Sequence, residues 1–215
     1  MSFVSQVAKY KFNDASFWVL FFSNLFTIFL ALKSNWDIAT LLWIFWYQSI
    51  IIGFFAIFRF FKKRRINILG MVLDPAEIHD PKSKMIIFVV KIVIALVFIL
   101  AYGQFHVFYF WFLDLYFPKE IIFTVILLPV MIFFFNHLFS FFYNQNKDPQ
   151  DQSVYKIFSL ISVRILPMHL IIILGAFLFG RTTLLFLVIK MLTDLFAHIK
   201  EHDQSMQYFL ADKKY

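Results

Sequence analysis

The chain contains no cysteine, and only five glycines and six prolines occur among its 215 residues. The lack of cysteine excludes disulfide scaffolds, iron–sulfur proteins and thiolate zinc sites. Charged residues make up only 15% of the chain, against about 25% in ordinary soluble domains. Because 61% of the residues are hydrophobic, the composition excludes a disordered chain and a soluble globular enzyme. A polytopic helical membrane protein remains.

Long apolar runs fill the sequence, which includes 33 phenylalanines and has a mean hydropathy of +0.77. A membrane-crossing helix needs about 20 mostly apolar residues. Six stretches meet this requirement: Ala15–Leu32, Ile38–Phe61, Met85–Phe105, Ile121–Tyr143, Leu160–Gly180 and Thr182–Ile199. Their continuity differs from the alternating segments of about ten residues in transmembrane barrels. The sequence predicts an all-α fold, a polytopic membrane helix bundle of about six transmembrane helices forming one domain over residues 1–215.

The third apolar stretch continues past Phe105 as far as Phe117, which is too long for one upright helix. We expect this helix either to tilt, or to break near Gly103 and continue along the outer membrane interface. The longest loop on the cytoplasmic side is predicted at Lys62–Lys84.

Lysine and arginine stay preferentially on the cytoplasmic side of a membrane. With the amino terminus inside, thirteen of them fall in cytoplasmic segments, and the opposite side holds three: Lys33, Lys119 and Arg181. Both termini are therefore predicted to be cytoplasmic, in a multi-pass protein of the inner (plasma) membrane. The net charge of +7 is explained by this topology and by attraction to anionic membrane lipids. Nucleic-acid binding is not expected, because no segment is large enough for a basic soluble domain.

Ionisable groups in hydrocarbon are expensive, so each one is a candidate functional residue. Lys190, Asp194 and His198 repeat every four residues on the last predicted helix, and this spacing places them on one helix face. Asp194 and His198 could bind one ion together or form a hydrogen bond with each other, and Lys190 could neutralise the charge of Asp194.

Counting residues inward from the membrane surfaces places His137 and His169 at a depth similar to that of Asp194 and His198. His106 lies outside this layer. His137, His169, Asp194 and His198 are therefore the predicted metal ligands, with Lys190 and Arg164 in support. Imidazole and carboxylate ligands suit a divalent transition metal such as zinc or iron. Haem held by paired histidines is a weaker hypothesis, since no haem-specific motif is present. The same residues could also form a proton- or ion-handling network, or purely structural hydrogen bonds of the kind expected of Asn24, Gln48 and Ser49.

The chain resembles a prokaryotic family of six-helix membrane proteins known only as a domain of unknown function. The resemblance rests on Trp36-Asp37, on Arg164-x-x-Pro167-x-His169 and on the closing Lys190-x-x-x-Asp194-x-x-x-His198. It implies that Lys190, Asp194, His198, His137 and His169 occupy the family's polar positions. Two departures are Gln48, where the family usually has glutamate, and Ala101, where it has histidine. The resemblance implies no activity.

Three functions are consistent with these residues. The first is a membrane-embedded metalloprotein, which could be a metalloenzyme acting on a lipid-soluble substrate. The second is a small transporter or channel that moves protons or cations along the Lys190–Asp194–His198 face. The third is a structural accessory subunit of a larger membrane complex, and a homo-oligomer is equally compatible with the sequence.

Overall fold

The computed structural model describes residues 14–63, 65–68, 71–74, 80–117, 123–144, 154 and 183–212. These ranges contain five helices and one antiparallel two-stranded hairpin: α1 (Ala15–Lys33), α2 (Ile38–Lys62), β1 (Ile66–Ile68), β2 (Met71–Leu73), α3 (Pro81–Tyr116), α4 (Phe123–Asn144) and α5 (Thr183–Asp212). Helices α1 to α4 are long and apolar enough to cross a membrane. The predicted helical membrane architecture is thus confirmed for the described ranges, but the count of six spans is not. The predicted span Leu160–Gly180 lies outside them.

Aspartates precede the first three helices, at Asp14, Asp37 and Asp80. Each carboxylate accepts a hydrogen bond from a backbone N–H of the first turn, which satisfies a donor that the helix itself leaves open. The Ser83 hydroxyl also donates to Asp80, at 2.9 Å. This bond, together with the backbone N–H bonds, holds the pKa of Asp80 below its ordinary value of 3.8.

A four-residue turn joins α1 to α2. Asn35 adopts a left-handed conformation with φ of 48°, which asparagine tolerates better than most residues. The Trp36 N–H donates to the Ala31 carbonyl at 2.9 Å, and the Asn35 N–H donates to the Leu32 carbonyl at 3.4 Å. This pattern is a Schellman motif, and it reverses the chain direction between the two helices.

Helix α2 is the centre of the bundle. Its residues Leu41, Leu42, Ile44 and Phe45 are completely buried, and the helix packs against both α3 and α4. Helix α1 packs against α4 and α5. Most apolar side chains of α3 are exposed, as expected for a helix that faces lipid.

Helix α3 is continuous through Gly103, so of the two predicted alternatives, a tilt or a break near this residue, the break is wrong. Its 36 residues extend about 54 Å at about 1.5 Å per residue, well beyond a hydrocarbon core of about 30 Å. The helix continues because residues 107–113 remain apolar and aromatic, and no proline or glycine occurs from residue 104 to residue 116.

Helices α4 and α5 enter the bundle in the same direction. The end of α4 lies beside the start of α1, where the Ala15 N–H donates to the Tyr143 hydroxyl at 3.4 Å. The start of α5 lies beside the first third of α2, close to the turn between α1 and α2, with the Phe186 and Phe45 rings 5.6 Å apart. Helix α4 therefore ends, and α5 begins, at opposite ends of the bundle. The predicted span Thr182–Ile199 corresponds to the first part of α5.

Candidate functional site

Lys190 of α5 is a charged residue in the interior of the bundle, with only 2% of its surface exposed. Its Nζ donates to Asn24 Oδ1 of α1 at 3.0 Å and to Asp194 Oδ2 at 2.5 Å. The same ammonium lies 4.8 Å from the centroid of the Phe45 ring and 4.4 Å from that of Phe133. One charged group on α5 thus contacts side chains of α1, α2 and α4.

Asp194 accepts hydrogen bonds from two different helices. Its Oδ2 accepts from Lys190 and also from Gln48 Nε2 of α2, at 3.3 Å. The ion pair between Lys190 and Asp194 that the four-residue spacing predicts is therefore present. Gln48 is 1% exposed, and its Oε1 accepts no hydrogen bond from any described residue. The carboxylate of Asp194 is the more accessible partner, because its side chain is 15% exposed against 3% for Lys190.

His198 lies one turn further along α5 and joins the start of α1. Its Nε2 is 3.3 Å from Asp14 Oδ2 and 3.3 Å from Ser16 Oγ. Ser16 Oγ donates to Asp14 Oδ1 at 2.8 Å and accepts from Asn144 Nδ2 of α4 at 3.2 Å. Asp14 therefore caps α1 and binds His198 with the same carboxylate.

The predicted metal ligands occupy separate places. Asp194 pairs with Lys190, His198 pairs with Asp14, and His137 lies on α4 with its ring 6.2 Å from that of Phe55. Within the described ranges, no three histidine, cysteine or acidic side chains are grouped closely enough to hold a metal ion. His169 and Arg164 lie outside these ranges. Metal binding is not supported by this geometry, and the metal centre stays a prediction.

Two side chains that contact His198, those of Asp14 and Ser16, are absent from the site residues that the sequence predicts. They stand at the very start of the first apolar run, where their polar side chains indicate only a helix end. The usable signal is the Asp14-Ala15-Ser16 segment itself, which is typical of a helix cap. The expectation that Asn24 and Gln48 bond between helices is confirmed.

Comparison with known proteins gives one match. A family model described as "Family of unknown function (DUF6498)" matches residues 6–208. The chain belongs to the DUF6498 family. No curated protein and no solved structure matches it. The predicted membership in a family of unknown function is thereby confirmed, and the three short motifs and the six-helix description stay predictions.

A second buried polar cluster of this DUF6498 chain lies between α2 and α3, around His106, which is outside the predicted metal-ligand layer. His106 is 7% exposed; its Nε2 hydrogen-bonds Ser49 Oγ, and its Nδ1 is 3.0 Å from the Tyr102 carbonyl. The Tyr102 hydroxyl donates to the Ser49 carbonyl at 2.5 Å. Since a carbonyl only accepts, Nδ1 carries the proton and Nε2 of a neutral ring accepts from Ser49. A Cβ at Gly53 would overlap the Tyr102 ring, so the cluster requires glycine there.

Lys91, a charged residue inside the third predicted span, has a structural partner in the DUF6498 bundle. Its Nζ donates to the Lys63 carbonyl at 2.6 Å and to the Phe61 carbonyl at 3.5 Å. These carbonyls belong to the carboxyl end of α2, where the helix dipole favours a cation. Lys91 therefore caps α2 from the neighbouring helix.

Proposed function

We propose that this DUF6498 protein is a small integral membrane transporter or channel that moves a proton or another monovalent cation past the charged face of α5. The observation that carries the proposal is the Lys190–Asp194 ion pair, which lies inside a bundle of apolar helices. Charged side chains at membrane depth are costly and mark ion pathways, proton relays or ligand sites. The second charged contact, between His198 and Asp14, follows on the same face.

The order of these groups supports a pathway. Lys190 and His198 are eight residues apart, or about 12 Å along a helix axis at about 1.5 Å per residue. Asp194 lies between them. Each of the three meets a polar partner from another helix: Asn24 for Lys190, Gln48 for Asp194, and Asp14 for His198. A cation or proton would therefore find acceptors at intervals of one helical turn.

A purely structural role explains the pair less well. Replacing a buried ion pair by apolar residues of similar size is often neutral or stabilising, so the bundle does not need these charges to fold. The metal hypothesis is also weakened, because the Lys190 ammonium already lies 2.5 Å from Asp194 Oδ2. A divalent ion at that oxygen would meet a positive charge.

The proposed topology has six membrane spans, with both termini on the cytoplasmic side of the plasma membrane. Three observations support it. Four described helices are apolar enough to cross a membrane, the lysine and arginine distribution favours an inside amino terminus, and α4 ends at the opposite end of the bundle from the start of α5. In this orientation the Asp14–His198 contact lies at the cytoplasmic end, and Lys190 lies deeper.

The test is ion flux into liposomes containing the purified protein, measured in parallel with dyes sensitive to pH, to sodium and to potassium. We expect wild-type protein to conduct at least one of the three ions and Asp194→Asn to fall to the level of protein-free liposomes. Asp80→Asn is the matched control, since it makes the same chemical change at an exposed helix cap. Equal flux in wild-type and Asp194→Asn liposomes would contradict the proposal, as would no flux in either.

Elemental analysis of the same preparations tests the metal hypothesis. About one transition metal per chain, lost on His198→Ala, would favour a metal centre over an ion pathway. A partner protein that co-purifies in fixed ratio, with no flux, would favour an accessory subunit.

A further inference from the structure

The surroundings of the Lys190 ammonium have the composition of a monovalent-cation site. Two oxygens bind it, Asn24 Oδ1 at 3.0 Å and Asp194 Oδ2 at 2.5 Å. Two ring faces from other described helices, those of Phe45 and Phe133, lie with their centroids 4.8 and 4.4 Å from the ammonium. Carboxylate and amide oxygens are the ligands that hard cations prefer, and aromatic faces attract any cation that has lost its water. We name these four side chains the Lys190 cage.

A further oxygen lies beside the cage. Gln48 donates through Nε2 to Asp194, and its Oε1 is buried without a donor among the described residues. Buried acceptors in native proteins are nearly always paired, so this oxygen beside a carboxylate is an additional acceptor that a cation could use. The single carboxylate among these side chains balances one positive charge, which favours a monovalent over a divalent ion.

We infer that the Lys190 cage is a binding site for a monovalent cation and that Lys190 is its tethered occupant, which the transported cation replaces. This inference rests on the proposed function and names its substrate class. Asp194 is the entry point, because its side chain is the exposed member of the pair. An incoming cation meets the carboxylate first, takes over its negative charge, and displaces the ammonium from the cage.

The test measures how cations change the thermal stability of the protein in detergent, so it does not depend on ion flux. Lys190→Ala removes the tethered cation and leaves an open cage, whereas Lys190→Met removes the charge but fills the same space. The thermal unfolding midpoint of each purified variant is measured in sodium, potassium and methylammonium chloride. N-methyl-D-glucamine chloride at equal ionic strength is the reference, because its cation is too large for the cage.

We expect the unfolding midpoint of Lys190→Ala to rise by about 3 to 6 °C, relative to N-methyl-D-glucamine, when at least one of the small cations is present at tenfold its Kd. Wild-type protein and Lys190→Met should show no difference among the four salts, and adding Asp194→Asn to Lys190→Ala should abolish the gain. A folded Lys190→Ala with the same midpoint in every salt would overturn the inference. If that variant does not purify as a folded protein, Lys190→Ser is judged by the same criterion.

The two proposals fail separately. Cation-dependent stabilisation of Lys190→Ala without flux in wild-type liposomes would support the cation site and refute transport. Flux in wild-type liposomes, with no stabilisation of the alanine or serine variant, would refute the cation site and leave transport standing.

Discussion

Removing either member of the buried ion pair should destabilise the bundle, and removing both should restore much of the loss. Among the described residues, Lys190→Met leaves the Asp194 carboxylate with the Gln48 amide as its donor, and Asp194→Leu leaves the Lys190 ammonium with Asn24 and two aromatic rings. Breaking a buried pair costs about 3–5 kcal/mol. The double variant leaves no buried charge without its partner.

The burial of the two side chains sets the order of the losses. The Asp194 side chain is 15% exposed and that of Lys190 only 3%, so a stranded carboxylate is partly solvated while a stranded ammonium is not. We expect a loss of about 3 kcal/mol for Lys190→Met and about 4 kcal/mol for Asp194→Leu. The double variant should lie within about 1 kcal/mol of wild type, as apolar replacements of buried pairs do.

Thermal unfolding in detergent, followed by tryptophan fluorescence, measures these changes. About 2–4 °C of midpoint per kcal/mol applies to a chain of this size, so the single variants should lose about 6 °C or more. Lys33→Met, at the exposed end of α1, controls for the general loss of a lysine and should change stability by at most about 0.5 kcal/mol. Losses in the double variant equal to the sum of the single losses would refute the reasoning, because independent sites are additive.

Two further predictions concern the helix packing and the helix caps. Gly53→Ala should lower the free energy of unfolding by about 1–3 kcal/mol, because the new methyl group overlaps the Tyr102 ring. Gly103→Ala, whose methyl group meets open space, should raise it by about 0.5–1 kcal/mol in the same thermal unfolding measurement. Equal effects of the two substitutions would contradict the packing of Tyr102 on Gly53. The lowered pKa of Asp80 means that its ionised cap stabilises the folded protein above pH 3.8 and that this contribution is lost as the pH falls through the folded-state pKa. The stability advantage of wild type over Asp80→Asn should therefore shrink as the pH falls below 3.8. A stability difference that stays constant with pH would contradict this prediction.

The sequence predicts the helices well wherever hydropathy alone defines them. The predicted starts Ala15 and Ile38 agree with α1 and α2, because an aspartate cap and an apolar run begin together at each. Helix α3 starts four residues before its predicted span, since Lys82 and Lys84 hide the first turn from a hydropathy criterion although Asp80 and Pro81 mark it. The strands Ile66–Ile68 and Met71–Leu73 fall in a predicted loop, because strands of three residues carry almost no periodicity.

The site is predictable within one helix but not between helices. The four-residue spacing correctly pairs Lys190 with Asp194. It offers no means of choosing between Asp194 and Asp14 as the partner of His198, since that choice depends on α1 running antiparallel to α5. Similar membrane depth is also insufficient to group His137 with the other two, because depth fixes a position along the bundle but not around it.

The two polar clusters of the bundle differ in a way that separates structural bonds from a pathway. Between α2 and α3, Ser49, Tyr102 and His106 exchange hydrogen bonds with no lysine or carboxylate among them, as polar side chains between membrane helices commonly do. Along α5, the contacts instead involve a lysine and two aspartates, which neutral residues could replace at no cost in packing. Adjacent residues of α2, Gln48 and Ser49, contact the two clusters from different faces of one helix. The charge that joins α2 and α3, on Lys91, binds backbone carbonyls at the end of a helix, whereas the charges along α5 face other side chains; this difference is why we propose that the charges on α5 serve a passing ion.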